Sequence, residues 1–465
     1  MMAQKHKAQL IFIYGAIPLA LLALFLYLIQ KPDFLFWWDE RFHALVAKNL
    51  VNYPWIGQLY PLEVFEKAGE SGAWYNSNIW LHKPPLFSYI EALFMKVFGV
   101  GLFQFRLASA LSMLLLYFSF LRIQILMDLE KWTASFIAAG LCLNPFLLKL
   151  MMGWQGMDHN DLAFITCISL AIWMILAYRQ KKSTGRLILI SLFIAAAVLT
   201  KWLAGFLPFL FWFLADLKKG RIQGLASKLK TLGLSLILIA PWYIYTFRVY
   251  PSEAKAAFVF NQEHFAQVVE NHQQPWYFHF QQWGSHFFLL LALILLTLIL
   301  NKASKKARPQ FWAAVFSVGF VLIFFSLAQT KLPAFSFIAL PLVLILLSSL
   351  SPKKPFWRYI SLGFLLLAFA QMAYIPFVNF ADRYPENHSR AQFYRGLKGW
   401  LSPDAILIGA REFSNIEAQF YCDYLVLNRS TPTAFLQKME ASQRPIYQII
   451  YDEQGREKEL RPLPL

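Results

Sequence analysis

The amino-acid sequence predicts an all-α polytopic membrane protein with a small α/β domain at its C-terminal end. Of its 465 residues, 58% are hydrophobic and 15% are charged, against about 45–50% and about 25% in soluble domains. Apolar runs of roughly twenty residues, long enough to cross a bilayer, recur between residues 10 and 376. The composition changes after residue 378. A soluble enzyme and a disordered chain are excluded, because so few polar residues could not cover a soluble core.

The net charge of +17 does not indicate a nucleic-acid partner. The Lys and Arg residues do not form the single basic stripe that nucleic-acid binding favours. They lie in short loops between apolar runs, where such residues set the orientation of a membrane protein. The three cysteines show no CxxC spacing, and Cys142 and Cys167 lie in apolar runs. We therefore expect packing roles for them rather than a disulfide framework or a zinc ribbon.

The apolar runs differ in length and charge, which indicates which of them cross the membrane. Run 10–29 is too long for the apolar core of a secretory signal, so we expect it to be an uncleaved first span. Segment 31–82 is too charged to lie in lipid, and the short run 84–98, which opens with two prolines, is expected to form an interfacial or re-entrant helix. Further spans are expected near 107–127, 131–150, 162–178, 187–200, 202–215, 231–248, 284–300, 310–328, 333–350 and 359–376. In all, we expect about eleven to thirteen membrane helices.

Basic residues are distributed unequally between the two sides of these spans. With the N-terminus inside, the loops rich in Lys and Arg are 179–186, 218–230, 302–308 and 353–358. The opposite side receives segments 31–106, 151–161 and 249–283, the turn at 330–331, and everything after 377. Because cytoplasmic loops are rich in Lys and Arg, we expect a multi-pass protein of the cytoplasmic (inner) membrane whose functional segments face the periplasm or the exterior.

The C-terminal stretch 379–465 has the pattern of a small extracytoplasmic α/β domain. Turn signals occur at 402–404 and 444–445, and runs typical of β-strands lie at 405–410, 424–429 and 445–451. We therefore divide the chain into a membrane domain, 1–378, and a C-terminal domain, 379–465.

Ionisable residues near membrane segments are candidates for function, because burying them costs a few kcal/mol or more. Asp39 and Glu40 are adjacent carboxylates with His43 close by, a set that could supply a base and a metal or phosphate contact; an interfacial belt with solvated charges is the alternative. His82 and Lys83 precede a helix start, where a cation beside backbone N–H groups suits a phosphate. The alternative for Lys83 is a side chain that snorkels to the interface.

Two further clusters occur on the same side of the membrane. Asp158 and Asp161 flank a span start, where capping a helix would account for one acid but not for both. Glu263, His264 and His272 lie in a segment rich in oxygen and nitrogen ligands. An ordinary polar loop is the alternative, because such histidines alone do not make a metal site. Four clusters on one face, separated by spans, predict a shared cavity.

These clusters form an ordered series of motifs. They are Asp39-Glu40 followed by His43, His82-Lys83-Pro84-Pro85-Leu86, Phe105-Arg106-Leu107, Asp158 with Asp161, Leu199-Thr200-Lys201, Glu263-His264 with His272, and Lys331-Leu332-Pro333. The series resembles the polytopic GT-C glycosyltransferases of the protein O-mannosyltransferase and lipid A aminoarabinose transferase type. Three positions depart from that pattern: His82 replaces an acid, Trp202 a glycine and Phe335 a tyrosine. These departures leave the enzyme class unchanged but bear on which sugar and which acceptor the protein uses.

The resemblance implies a GT-C fold for residues 1–378, with 31–106 and 249–283 as catalytic loops. It also implies a polyprenyl-phosphate sugar donor, a lipid, glycan or protein acceptor, hexosyl or pentosyl transfer with inversion, and no nucleotide cofactor. The implied catalytic residues are Asp39, Glu40, Asp158 and Asp161; the implied phosphate-binding residues are Lys83, Arg106, Lys201, Lys331 and His43. His82, Glu263, His264 and His272 are the implied ligands of a divalent metal, zinc-like or magnesium. The alternative function is a transporter or flippase, which would more typically place its charges near the bilayer midplane.

Overall fold

The computed structural model describes residues 2–60, 77–156, 159–218, 221–300, 309–351, 356–411, 413–429 and 444–463. Helices dominate these residues. The N-terminal half contains α1 Met2–Ile11, α2 Ile17–Gln30, α3 Trp38–Asn52, α4 Leu86–Phe98, α5 Leu102–Leu126, α6 Lys131–Cys142, α7 Pro145–Met151, α8 His159–Gln180, α9 Thr184–Thr200 and α10 Leu207–Ala215. The rest contains α11 Leu225–Val249, α12 Pro251–Ala266, α13 Phe278–His286, α14 Phe288–Leu300, α15 Pro309–Leu327, α16 Leu340–Leu350, α17 Trp357–Met372, α18 Phe380–Arg383, α19 Pro385–Gly396 and α20 Ser414–Cys422.

The apolar runs of the sequence correspond to the long helices of the structure. Within the described ranges, seven helical stretches are long and apolar enough to cross a membrane: Lys7–Gln30, Leu102–Leu126, His159–Gln180, Leu225–Val249, Pro309–Leu327, Pro333–Leu350 and Trp357–Phe377. Two bent pairs, α6 with α7 and α13 with α14, pass the same test together. Two shorter apolar helices, Thr184–Thr200 and Leu203–Ala215, account for the remaining predicted runs. Each predicted span therefore coincides with a helix or a bent helix pair, which confirms a multi-pass membrane protein.

The two bent pairs contact each other at their breaks. The chain turns by 59° between α6 and α7 and by 88° between α13 and α14. Asn144 caps α7 by accepting a hydrogen bond from the backbone N–H of Phe146 at 2.9 Å, and its amide donates to the carbonyl of His286 at 2.6 Å. Breaks in a membrane helix are tolerated where side chains satisfy the freed backbone groups. Asn144 satisfies a backbone N–H at the break between α6 and α7 and a backbone carbonyl at the break between α13 and α14.

The first external segment contains two helices that pack together, α3 and α4. The helix predicted within residues 84–98 is present as α4, which begins just after Pro84 and Pro85. It ends at Gly99, whose φ of +90° is a conformation that glycine adopts without a steric penalty. Neither α3 nor α4 is among the helices long enough to span the membrane.

The C-terminal region contains a four-stranded sheet, and three of its strands were predicted. Its strands are β3 Ile406–Ala410, β4 Leu425–Asn428, β5 Ile446–Tyr451 and β6 Glu457–Pro462. Two other strands of two residues each, β1 Leu217–Lys218 and β2 Arg221–Ile222, pair with each other earlier in the chain. The strand order is β4-β3-β5-β6, with β3 parallel to β4 and β5, and β6 antiparallel to β5. Helix α20 connects the parallel strands β3 and β4 and packs against α3. Strand β6 was not predicted, because its charged sequence EKELRP carries little β-strand signal.

Candidate active-site cavity

A cavity of about 800 Å³ collects most of the predicted site residues. Its charged and histidine side chains come from five separate stretches of the chain: Asp39, His82, Lys83, Asp161, Lys201, His264, Glu270 and His272. Its apolar walls include Phe164, Trp202, Leu207, Leu210, Phe320, Phe324, Phe325, Leu332, Phe335 and Ile338. The cavity therefore combines a charged portion with extensive aliphatic and aromatic walls. Asp158, which was predicted to be catalytic, lies outside the described residues.

Asp39 and Glu40 point in different directions although they are neighbours in the first turn of α3. Successive residues of a helix are about 100° apart around its axis. Asp39 is partly buried and lines the cavity. Glu40 is only 1% exposed and is not among the residues that line the cavity. Of the two predicted catalytic carboxylates in this motif, only Asp39 is placed to reach a bound molecule.

Glu40 is the centre of a buried ion-pair network. Its Oε1 accepts a hydrogen bond from Nε of Arg106 at 2.8 Å and lies 2.8 Å from Nη2 of the same guanidinium, and His159 Nε2 lies 3.3 Å from that oxygen. Its Oε2 accepts from the backbone N–H of Phe36 at 2.7 Å. Burial raises the pKa of Glu40, but the charge of Arg106 and the contacts with His159 outweigh it and lower the pKa to about 2. Glu40 is therefore ionised at physiological pH, and a carboxylate held so weakly basic is poorly suited to accept a proton.

Arg106 was predicted to bind phosphate, but the structure places it away from the cavity. Its side chain is fully buried, and besides Glu40 it donates to the carbonyls of Pro32 and Phe34, each at 2.7 Å. It thereby ties the loop after α2 to the start of α3. Gly153 completes this packing: its φ is +73°, and a Cβ there would overlap the Glu40 carboxylate. Only glycine meets both requirements without strain.

Asp161 and Lys201 form an ion pair in the cavity wall. Asp161 lies in the first turn of α8, and Lys201 follows the last residue of α9. The Lys201 Nζ also lies 5.4 Å from the centre of the Phe335 ring, within the range of a cation–π contact. Both side chains are largely buried, so the pair places one partly neutralised cation beside the apolar wall. The sequence predicted both residues for the site, and the structure shows that they are paired with each other.

The histidines of the cavity are arranged around Phe260. The centre of its ring lies 4.9 Å from that of His82 and 4.8 Å from that of His264. His264 Nδ1 lies 2.8 Å from the carbonyl of Phe260, which can only accept, so this nitrogen carries the proton. Burial lowers the pKa of His264, the hydrogen bond to Phe260 opposes this effect, and the charges of Lys83 and Lys201 add to the lowering, so that the pKa is about 4. His264 is therefore a neutral imidazole near pH 7.

The described residues do not assemble a metal site. Over the ranges given above, no three His, Cys, Asp or Glu side chains lie close enough together to hold one ion, whereas structural and catalytic zinc sites use three or four protein ligands. Glu263 is partly buried in α12 but does not line the cavity. The predicted set of His82, Glu263, His264 and His272 is thus not brought together, and the metal stays a prediction.

Lys331 and His43 lie outside the cavity lining. Lys331 Nζ donates to the carbonyl of Ala328 at 2.5 Å, while its backbone N–H donates to the carbonyl of His272 at 3.1 Å. Thr330 likewise donates from its backbone to His264, at 3.0 Å. This turn therefore holds the segment between the two histidines.

His43 is buried edge-on against Trp80, with ring centres 5.1 Å apart. Neither the Lys331 nor the His43 side chain is placed to contact a phosphate in the cavity.

Sequence reasoning missed the aromatic wall that α15 contributes. Phe320, Phe324 and Phe325 line the cavity, yet they lie in an apolar run with no polar residue to mark them. A wall residue and a lipid-facing residue have the same chemistry, so hydropathy cannot distinguish them. Phe320 and Phe324 are also substantially exposed, which indicates that this wall continues to the outer surface of the helix bundle.

We predict that Glu40→Gln destabilises the fold, whereas Asp39→Asn does not. Removing one member of a buried ion pair leaves the other charge uncompensated and typically costs about 3–5 kcal/mol. The midpoint of thermal unfolding in detergent should fall for Glu40→Gln only. Because the pKa of Glu40 is lowered from 4.5 to about 2, its contribution is complete above pH 4.5 and is lost as the pH falls through 2. Equal midpoints for Glu40→Gln and the unmodified protein would contradict the structural role.

Comparisons with known proteins agree with this architecture. Residues 82–245 match the family described as dolichyl-phosphate-mannose-protein mannosyltransferase. An uncharacterised protein of Aquifex aeolicus is 26% identical over 323 residues, which make up 68% of this chain and 60% of that protein. The match thus spans less than two thirds of the length of that relative.

Two solved structures show the same fold. The crystal structure of ArnT from Cupriavidus metallidurans bound to undecaprenyl phosphate is similar with a TM-score of 0.69 and 16% identity, over 95% of this chain and 94% of that one. The oligosaccharyltransferase of Archaeoglobus fulgidus, in a complex with zinc and sulfate, has a TM-score of 0.50 and 12% identity, over 93% of this chain and 68% of that one. Residues 82–245 thus match the mannosyltransferase family, and the solved structures show that the chain has an ArnT-like GT-C fold.

Proposed function

We propose that the protein transfers a sugar from a polyprenyl-phosphate donor to a lipid, glycan or protein acceptor, with inversion at the anomeric carbon. The observation that carries this proposal is the cavity itself. It holds two lysines, Lys83 and Lys201, together with carboxylates and histidines, beside long apolar walls. Such a site suits an amphiphile with an anionic head, because a phosphate favours cations and a prenyl chain favours hydrocarbon surfaces. The relative from Cupriavidus metallidurans was crystallised with a molecule of this kind.

The donor phosphate is assigned to the lysines. Lys83 lies just before α4, and Lys201 just after α9, so the two cations reach the cavity from different helices. Lys201 is paired with Asp161, which fixes its position and reduces its net charge. We assign the attraction for the phosphate to both lysines, which line the same cavity. The prenyl chain then lies along the aromatic wall of Phe320 and Phe324, which continues to the outer surface of the bundle.

The general base is assigned to Asp39. An acceptor hydroxyl attacks the anomeric carbon from the face opposite the phosphate, and Asp39 takes its proton as the new C–O bond forms. The bond between the anomeric carbon and the phosphate oxygen breaks, and the electron pair leaves with the polyprenyl phosphate. Lys83 and Lys201 stabilise that leaving group.

Choice of sugar and acceptor is assigned to three residues that depart from the family pattern. His82, Trp202 and Phe335 replace an acid, a glycine and a tyrosine, and all three line the cavity. A buried polar group that is gained or lost changes discrimination strongly, because an unmatched partner is left without a hydrogen bond. We infer that these side chains adapt the common reaction to the particular hexosyl or pentosyl donor and acceptor of this protein.

Two substitutions test the assigned roles. Asp39→Asn should lower kcat by roughly 10²- to 10⁴-fold and leave donor binding almost unchanged, because a general base acts only in the chemical step. Lys83→Met should instead raise the Kd for undecaprenyl phosphate, because it removes a charge that binds the head group. Turnover is followed with radiolabelled lipid-linked sugars, and binding by titration of the detergent-solubilised protein. Transfer at the normal rate by Asp39→Asn would refute its role.

Matched controls exist for both substitutions. Asp452 is an acid at the end of β5 in the C-terminal sheet, paired with Arg456 at 3.0 Å, so Asp452→Asn should leave transfer unchanged. Lys96 is exposed at the opposite end of α4 from Lys83, so Lys96→Met should bind undecaprenyl phosphate normally. If both lysine variants weaken binding equally, the effect comes from the overall charge and not from the cavity.

A divalent metal is a separate part of the proposal, and no step above is routed through it. His82 and His264 both line the cavity, and imidazole ligands would favour a zinc-like ion over magnesium. On this view His82→Ala and His264→Ala each weaken donor binding more than they slow turnover, and a chelator has the same effect. Elemental analysis of the purified protein provides an independent measurement. Metal-free protein that remains fully active in chelator would remove the metal and leave the assignment of Lys83 unaffected.

We further propose that the cavity opens on the extracytoplasmic face, because the basic loops lie on the other side of the spans. The test uses a variant in which Cys142, Cys167 and Cys422 are replaced. A single cysteine at exposed position 274 should react with an impermeant thiol reagent in intact cells, and one at exposed position 184 should react only after lysis. The opposite labelling pattern would reverse the orientation.

A further inference from the structure

We infer that the C-terminal region positions the first turn of α3, and with it Asp39, through an ion pair between Glu417 and Arg41. This inference rests on the proposed role of Asp39 as the base. Glu417 lies on α20 and is only 1% exposed. Its Oε2 lies 2.8 Å from Nε of Arg41 in an ion pair, and its Oε1 accepts a hydrogen bond from Nη1 of Arg390 at 2.7 Å. One buried carboxylate thus joins α3 to two helices of the C-terminal region.

The far end of α3 is held by the same helix. Lys48 forms an ion pair with Asp423, which directly follows α20. The Lys48 ammonium also donates to the carbonyls of Gln419 and Phe420, at 2.5 and 3.0 Å. Helices α3 and α20 are therefore joined near both ends, by Arg41 with Glu417 and by Lys48 with Asp423. Two separated attachments restrict rotation as well as sliding of α3 against the C-terminal region.

The backbone that leads into α3 is also bonded to the C-terminal region. The N–H of Leu35 donates to the Tyr421 hydroxyl at 2.8 Å. The side-chain amide of Asn387 donates to the carbonyls of Leu35 and Phe36, at 3.1 and 3.0 Å. Buried backbone groups need such partners. Here the partners come from side chains that are more than 350 positions away in the chain.

Three consecutive residues of α3 thus point to three different surroundings. Asp39 reaches the cavity, Glu40 pairs with Arg106 inside the membrane domain, and Arg41 pairs with Glu417. The two ion pairs hold the helix turn on two different faces. A reacting group that is misplaced by about 1 Å can cost a factor near 10² in rate. Glu417 therefore acts as a positioning residue for Asp39 without contacting the substrate itself.

The kinetic test compares Glu417→Gln, Arg41→Met and the double variant. We expect kcat to fall about 10- to 100-fold in each, because Asp39 loses one of its two anchors. The KM for the donor should change by no more than about twofold, because Lys83 and Lys201 lie on other helices. The double variant should be no slower than the slower single variant, since both changes break the same bond. Arg456→Met, which breaks an exposed pair in the same region, is the control.

A second measurement does not depend on turnover. Hydrogen exchange followed by mass spectrometry should show faster exchange in residues 33–43 for Arg41→Met, with residues 446–451 unchanged. Arg41→Met keeps the pair between Glu417 and Arg390, so it preserves the C-terminal region even if Glu417→Gln fails to fold. Normal exchange and normal kcat in Arg41→Met would overturn the inference. If the unmodified protein transfers no sugar, the proposed function fails, while exchange in residues 33–43 still tests the coupling.

Discussion

The buried ion pair between Glu40 and Arg106 is the interaction on which the rest of the site depends. Two charges removed from water are tolerable only if both are fully paired and hydrogen-bonded. Here Arg106 also satisfies the carbonyls of Pro32 and Phe34, and Glu40 the N–H of Phe36. The network therefore fixes the loop after the first span, the start of α3 and the side of α5 relative to one another. The direction of Asp39 follows from this geometry.

The cavity is lined by charged side chains in one part and by apolar side chains in another. Charged side chains occur where helices begin or end, as with Asp39, Asp161 and Lys201. Apolar side chains of the helices form the rest of the cavity wall. A ligand with an anionic head and a hydrocarbon tail matches both parts, whereas a water-soluble sugar nucleotide would leave the apolar wall uncovered. This match between the cavity and an amphiphile is the reason for proposing a lipid-linked donor.

The C-terminal region supports the site, because its side chains make buried polar contacts with α3. Its ion pairs through Glu417 and Asp423 and its hydrogen bonds to Leu35 and Phe36 lie directly behind the turn that carries Asp39. Loops and turns that carry function require a rigid support. In this protein the membrane domain provides one side of that support and the C-terminal sheet with its helices provides the other.

The sequence by itself determined the membrane class, the apolar spans, three of the four C-terminal strands and the motifs around the cavity, because hydropathy and strand patterns depend on neighbouring residues. It could not separate Asp39 from Glu40, since two adjacent carboxylates are chemically alike until a helix turns them apart. Nor could it pair Arg106 with Glu40, 66 positions away, or Arg41 with Glu417. Those partners are chosen by the packing of distant helices, which also decided that Arg106 supports the cavity from behind while Lys83 and Lys201 line it.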